Sequence, residues 1–308
     1  MILICGIPTE PPVASVIARC NEIGAPIVLF NQRDFDNIHL SWGVRSGGID
    51  GQLTTAEICC DLSLLDGVYA RLMDDRLLPE LDTEPPDSGR RLRCRRLHDG
   101  LAGWIDLAPG RVVNRFRAMG SNASKPYQSM LIKRHNFQVP ETLVTNDPDV
   151  ARAFRAKHGR VIYKSISGLR SIVNEMGDSD LDRLEDLRAC PVQFQAYVPG
   201  FDVRVHVVGD EVFATRIDSP GTDYRYANHE ETILESFGLP GDLADRCRSL
   251  SRGLGLAFSG IDLRITLTNE VYCFEVNPSP AFSYYESHTG QPISLALAHF
   301  LHGTSHLA

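Results

Sequence analysis

The sequence predicts an α/β protein of more than one lobe, and three observations carry that reading. The chain opens with two short apolar runs, residues 1–6 and 26–30. Between them lie apolar residues at helical spacing (Val13, Val16, Ile17, Cys20), the βαβ pattern of a small open sheet. Near the other end, Ile261-Asp262-Leu263-Arg264-Ile265 and residues 271–277 alternate apolar and polar side chains across a short polar link, as a half-buried antiparallel hairpin does. A length of 308 residues exceeds one small core and suits two or three lobes.

Composition narrows the function classes. A net charge of −8 argues against a general nucleic-acid binder, whose affinity comes largely from cationic contacts to phosphate. No apolar run approaches a membrane span, so no membrane partner is expected. Residues 1–6 read directly as a strand, without the basic region and cleavage site of a secretory signal. The eight cysteines are scattered with no Cys-x-x-Cys pair, which points to a reduced, cytoplasmic location without a zinc or disulfide framework.

In chain order, residues 67–71 read as a further strand and 84–89 as a loop. No Gly-x-Gly-x-x-Gly follows the first strand, so a dinucleotide fold is not supported. Arg90-Arg91-Leu92-Arg93-Cys94-Arg95-Arg96 is either a docking patch for an acidic peptide or phosphate, or the solvated face of a helix running on to Trp104; the second reading is the commoner. The pattern changes around residues 110–123, and a boundary near Arg117 divides the chain into units 1–117 and 118–308. The second unit reads as two lobes, about 118–198 and 199–308. Within it, a helix starts at Lys125 after Ser124, an extended run covers 139–144, and Thr145-Asn146-Asp147-Pro148 caps a helix over 149–158.

The strand Arg160-Val161-Ile162-Tyr163-Lys164 ends in a lysine and passes into a small-residue loop containing Ser167 and Gly168. A strand-end ammonium beside exposed loop N–H groups suits a polyphosphate, although one such lysine alone is usually a surface residue. The run 192–200, with Gln195, Tyr197 and Val198 before Pro199-Gly200, reads as a strand that can hold an adenine on its backbone groups or serve as an ordinary core strand. Residues 201–208 turn at Gly209-Asp210 and return over 211–217. Asp202, Arg204 and His206 therefore share a face, while the face of Arg216 depends on the turn register. Arg225 follows in a loop. A helix over 241–253 leads into the Asp262 hairpin, and a closing helix spans 291–301.

In that hairpin, pairing about Thr268-Asn269-Glu270 sets Asp262 opposite Glu275 or its neighbour, with Glu275 and Asn277 on one face. Two carboxylates and an amide oxygen are hard ligands of the kind Mg²⁺ takes while keeping positions for water and phosphate.

Taken together, these residues resemble the ATP-grasp superfamily, and within it the ribosomal-protein glutamate ligases and the microviridin-type peptide-modifying ligases. The resemblance covers roughly residues 111–295. It is carried by Ser121-Asn122-Ala123-Ser124-Lys125-Pro126, by residues 139–147, by the Lys164 strand and by Phe274-Glu275-Val276-Asn277-Pro278-Ser279. It implies an ATP-grasp fold preceded by an open α/β pre-ATP-grasp domain, with ATP and Mg²⁺ (Mn²⁺ able to replace it) as cofactors. Lys125 and Lys164 then match the phosphate-contacting lysines, Tyr197 and Val198 the adenine hinge, and Asp202 the ribose contact. Arg204, Arg216 and Arg225 match cations near the γ-phosphate and acyl phosphate, and Asp262, Glu275 and Asn277 the metal ligands. Ala196 departs from the glutamate often found before the hinge tyrosine. The implied activity is ligation of a carboxylate to an amine through an acyl phosphate, on an amino-acid or peptide substrate, by a protein of a kind that often forms homo-oligomers. A degenerate nucleotide-binding regulator and a small-molecule kinase are the alternatives that the nucleotide motifs leave open.

Overall fold

The computed structural model describes residues 1–166, 173–219 and 232–304. The N-terminal unit is a parallel sheet with an antiparallel annex. Strand β1 (Ile2–Gly6) leads through helix α1 (Pro11–Glu22) to β2 (Ile27–Asn31), as the βαβ pattern predicts. Strands β3 (His39–Arg45), β4 (Gly48–Thr54) and β5 (Cys59–Asp61) then form a small antiparallel sheet. Strand β6 (Gly67–Ala70) returns to the parallel sheet, helix α2 (Gly89–Leu107) starts at the Ser88 cap, and β7 (Arg111–Val113) completes the order β2-β1-β6-β7.

Each face of this sheet is apolar because parallel strands are covered on both sides. One face (Leu3, Cys5, Val28, Phe30, Val68) packs on Leu101, Trp104 and Ile105 of α2. The other (Ile2, Ile4, Tyr69, Val113) packs on Val13, Val16 and Cys20 of α1.

After the short helix α3 (Phe116–Met119), helix α4 (Lys125–Lys133) begins the second unit with Pro126 in its first turn, where the missing N–H costs nothing. A four-stranded antiparallel sheet follows, built from β8 (Thr142–Thr145), α5 (Pro148–His158), β9 (Val161–Lys164), β10 (Asn174–Glu175), the short helix α6 (Asp178–Leu181) and β11 (Val192–Ala196). The Asp147 carboxylate caps α5 by accepting from the Asp149 and Val150 N–H groups. Phe154, Val161 and Phe194 lie in the core under this sheet.

The chain then enters a five-stranded antiparallel sheet of order β14-β13-β12-β15-β16: β12 (Phe201–Val208), β13 (Glu211–Asp218), β14 (Ile233–Ser236), helix α7 (Gly241–Gly253), β15 (Phe258–Ile265) and β16 (Val271–Asn277). Helix α7 buries Leu243, Cys247 and Leu250 against Val203, Val205, Ile261, Leu263 and Val276. Helices α8 (Ser283–Thr289) and α9 (Ile293–His302) end the described chain. Helix α9 bridges the two units: Ile293, Leu297 and Leu301 share one core with Ile2 and Ile4 of the N-terminal parallel sheet, with α1, and with Val208 and Phe258 of the five-stranded sheet. Gly67 makes this possible, since a Cβ there would run into the Leu301 carbonyl oxygen. Among the described residues no helix is long and apolar enough to cross a membrane.

Candidate active site

The Asp262 hairpin closes in the expected register, Asp262 opposite Glu275 and Gly260 opposite Asn277, with a bulge between Asp262 and Leu263. On the other side β12 sets Arg204 opposite Asp262, His206 opposite Gly260 and Asp202 opposite Arg264. Directly paired residues share a face, so one surface of the sheet carries Asp202, Arg204, His206, Arg264, Asp262, Glu275 and Asn277, and the apolar face goes to α7.

Both carboxylates of the hairpin are matched by cations. Arg204 Nη1 donates to Asp262 Oδ1 at 2.5 Å, and Lys125 Nζ donates to Glu275 Oε2 at 2.9 Å. Arg204 is buried, and its guanidinium lies where a side chain at position 260 would stand, so glycine there makes its room. Arg264 grips Asp202 through two hydrogen bonds of 2.8 Å and reaches the Val198 carbonyl at 3.0 Å. Asn277 Oδ1 accepts from the Ser279 N–H at 2.9 Å, which shapes the turn after β16.

Across the cleft, β9 and β11 pair Lys164 with Gln193 and Ile162 with Gln195, so Lys164 and both glutamines share a face. Gln195 donates to Thr142 Oγ1 at 3.2 Å. The Oε1 atoms of Gln193 and Gln195 are buried and meet no hydrogen-bond donor among the described residues. At the hinge, the Tyr197 N–H donates to Arg160 O at 3.0 Å while Val198 O accepts from Arg264. Among the described residues these bonds leave the Tyr197 carbonyl and the Val198 N–H without a partner, an acceptor and a donor on successive residues. The Tyr197 ring lies under the Arg160 guanidinium, 3.6 Å from its centroid.

The structure separates Arg216 from this group. Val208 pairs Glu211 across the turn, so Arg204 meets Thr215, and Arg216 stands opposite Val203 on the α7 face. There it pairs with Asp218 at 2.9 Å and sits over the Phe201 ring. Ser167, Gly168 and Arg225 lie outside the described residues.

Four side chains that the sequence reading gave no role organise the site. Arg264 holds Asp202 and the hinge. Gln128, one turn after Lys125 on α4, donates to Val276 O at 2.8 Å and accepts from Val276 N at 3.0 Å. It thus acts as an added rung on the edge of β16, between Glu275 and Asn277. Asn114 donates to the Phe258 and Pro278 carbonyls and accepts from the Ala257 and Phe258 N–H groups, tying the start of β15 to the end of β16. Arg71, from the end of β6, donates to the Ser279 carbonyl and hydroxyl and to Pro280 O, and pairs with Glu10 at 2.8 Å. All four reach backbone atoms, which no spacing rule reveals; only the i, i+3 placement of Lys125 and Gln128 was open to sequence.

Other reactive side chains are quiet. Burial pushes the Cys5 and Cys273 thiols far up and the Cys247 thiol to about 12, so none of the three supplies a thiolate at neutral pH. Desolvation, with Arg204 adding to it, drives His206 well below the ordinary histidine range and keeps it neutral. Among the described residues no three His, Cys, Asp or Glu side chains converge as metal ligands. Two carboxylates and one amide instead suit an ion that completes its shell with water and phosphate oxygens.

Comparison with known proteins bears on the family and the fold. The RimK-like ATP-grasp domain family matches residues 123–301, more than half of the chain. No curated protein matches the chain. A Chryseobacterium gregarium RiPP-associated ATP-grasp ligase, solved with ADP and a leader and core peptide, is similar at a TM-score of 0.82 and 22% identity, over 97% of this chain and 96% of that one. The ATP-grasp ligase PsnB, complexed with a phosphomimetic variant of a minimal precursor, Mg and ADP, gives 0.78 and 28% over 97% of each chain. The macrocyclase MdnC from Microcystis aeruginosa MRC, bound with precursor peptide MdnA, gives 0.79 and 21% over 99% of this chain and 100% of that one. The chain therefore belongs to the RimK-like ATP-grasp family, as an ATP-dependent ligase that forms carbon–nitrogen bonds through an acyl phosphate.

Proposed function

We propose that this ligase acts on a peptide, joining one of its carboxylates to an amine with ATP and Mg²⁺ as cofactors. The observation that carries the site assignment is the pairing of Asp262 with Arg204 and of Glu275 with Lys125 on one face of the hairpin. The peptide substrate is supported by the complexes of PsnB and MdnC with precursor peptides.

In this reading the Tyr197 carbonyl and Val198 N–H receive the adenine edge, and Asp202, oriented by Arg264, meets the ribose. Gln193 and Gln195 offer acceptor oxygens along the nucleotide, and Lys164 with the loop at Ser167 and Gly168 holds the phosphates. Asp262, Glu275 and Asn277 would hold Mg²⁺, whose role is to neutralise charge on the transferring phosphoryl group. Lys125 and Arg204, paired with these carboxylates here, would be the cations at hand for phosphate oxygens, and Arg225 serves the acyl phosphate. The substrate carboxylate attacks the γ-phosphate and releases ADP. The amine then attacks the acyl carbon and releases phosphate, and catalysis is positioning and electrostatics without a protein nucleophile. Arg216 takes no part. The division into a pre-ATP-grasp unit, 1–117, and a two-lobed grasp, 118–308, belongs to the same proposal, with α9 reaching back to the first unit.

The test is ADP release with Mg²⁺, ATP and synthetic peptides carrying glutamate and lysine, followed by product mass. Peptide-dependent ADP release with loss of one water from the peptide supports the reading. Release with free amino acids alone moves the substrate class, and a product that retains phosphate makes the protein a kinase. Lys164→Ala should raise the ATP KM about tenfold; an unchanged KM removes its phosphate role.

A further inference from the structure

The arginine run of α2 resolves into two groups. Arg90 pairs with Asp36 and donates to Glu80 O, Arg91 donates to the Glu84 and Leu81 carbonyls, and Arg95 pairs with Asp75. These three fasten α2 to its own unit. Arg93 and Arg96 remain on the wall of a groove of about 760 Å³ between α2 and β3. Arg93 touches the Asp36 and Ile38 carbonyls through one nitrogen only. Arg96 has no ion-pair partner among the described residues.

The groove has three properties of a peptide site. Its floor runs along β3, which pairs only with β4 among the described residues, so its outer edge presents unpaired backbone donors and acceptors. Its sides are apolar at Leu40, Trp42, Leu97 and Leu92, the last 47% exposed. Its charged lining is wholly cationic: Arg93 and Arg96 stand there with no aspartate or glutamate, in a chain whose net charge is −8. An edge strand selects an extended chain, the apolar wall takes alternate side chains, and the guanidinium groups take carboxylates.

We propose that this groove docks an extended, acidic segment of the peptide substrate as an added strand on β3, away from the reacting carboxylate. The proposal rests on the peptide reading above for the identity of its occupant. Docking there raises the local concentration of the reacting segment and leaves the chemistry at Asp262 and Glu275 unchanged.

Trp42 makes the groove its own reporter, because the second tryptophan, Trp104, is buried in the core. The probe is a blocked eight-residue peptide alternating glutamate and leucine, titrated into the whole protein at low salt. The expected result is a saturable change in Trp42 emission that fades as salt rises. Arg96→Glu weakens it about tenfold, and a peptide with lysine for glutamate gives none. Leu92→Asp, at an exposed position, is the second variant and weakens binding while circular dichroism stays unchanged. Equal binding of the lysine peptide, or indifference to Arg96→Glu, overturns the proposal. So does a dimer in sedimentation that Leu92→Asp dissociates, since the groove then belongs to a second copy. The turnover arm separates this from the peptide reading. Appending the acidic segment to a turned-over peptide should lower its KM at constant kcat, and Arg96→Glu should cancel the gain. Peptide-dependent ADP release that ignores both changes sinks the docking site alone.

Discussion

The two sheets that meet at the Tyr197–Val198 hinge carry opposite kinds of polar group. On the five-stranded sheet the charges are paired: Arg204 with Asp262, Arg264 with Asp202, and Lys125 of α4 with Glu275. On the four-stranded sheet the polar face holds Lys164 and two amides, and the carbonyl oxygens of Gln193 and Gln195 are buried without a donor among the described residues. A paired buried charge loses several kcal/mol when its partner goes, whereas an unmet amide oxygen costs about 1–3 kcal/mol until something donates to it. The charged pairs of the first sheet are therefore matched without ligand, and an unmet buried group there is the neutral His206 ring, whose two nitrogens find no partner among the described residues. The second sheet is unsettled and gains stability directly from what binds.

The sharpest break in that contrast comes at the paired charges. Asp262→Asn or Glu275→Gln should lower kcat on the order of 10³-fold in an ADP-release assay. Asp262→Asn should also cost about 1–3 kcal/mol in denaturant unfolding, because Arg204 keeps its burial and loses its counter-charge. Near-normal turnover in either variant ends the metal assignment.

Next in size is the added rung on β16. Gln128→Ala strands the Val276 N–H and C=O, and should cost about 2 kcal/mol together with about tenfold in kcat and a higher Mg²⁺ requirement. A loss of stability with an unchanged Mg²⁺ titration would restrict Gln128 to holding the fold.

The amide sheet predicts the reverse sign. Gln193→Leu removes an unmet buried oxygen and should raise stability without nucleotide by about 1 kcal/mol, while shrinking the rise in Tm caused by Mg²⁺ and ADP. A full nucleotide-induced rise in this variant would clear Gln193 of any ligand role. Arg216→Ala should do least: under twofold in kcat and under about 1 kcal/mol in stability, since its exposed pair with Asp218 lies on the other face. A tenfold loss would return it to the site.

How much of this was legible follows from what each residue acts on. The Asp262 hairpin could be read because period-two alternation and a short turn fix both its pairing and its polar face. The face of Arg216 was within reach by the same arithmetic. Once Val208 pairs Glu211, four steps back and four forward join Arg204 to Thr215. The β3–β5 sheet left no such trace, since Gly43, Gly47, Gly48 and Gly51 and a largely exposed surface remove the apolar alternation that marks a strand. Gln128, Asn114 and Arg71 were invisible for a different reason. Each recognises main-chain atoms 143 residues or more away along the chain, and backbone groups carry no side-chain signature in sequence.

Helix α9 covers strand β1, yet almost the whole chain separates them. During translation the first strands emerge with that face covered by α1 alone, and the rest of it waits for Ile293, Leu297 and Leu301 to leave the ribosome. The N-terminal unit is thus the first made and among the last finished. A truncation or frameshift after the Asp262 hairpin would spare the described residues of the proposed nucleotide cleft and still leave a protein whose opening sheet is sticky, a target for chaperones and proteases rather than a working ligase.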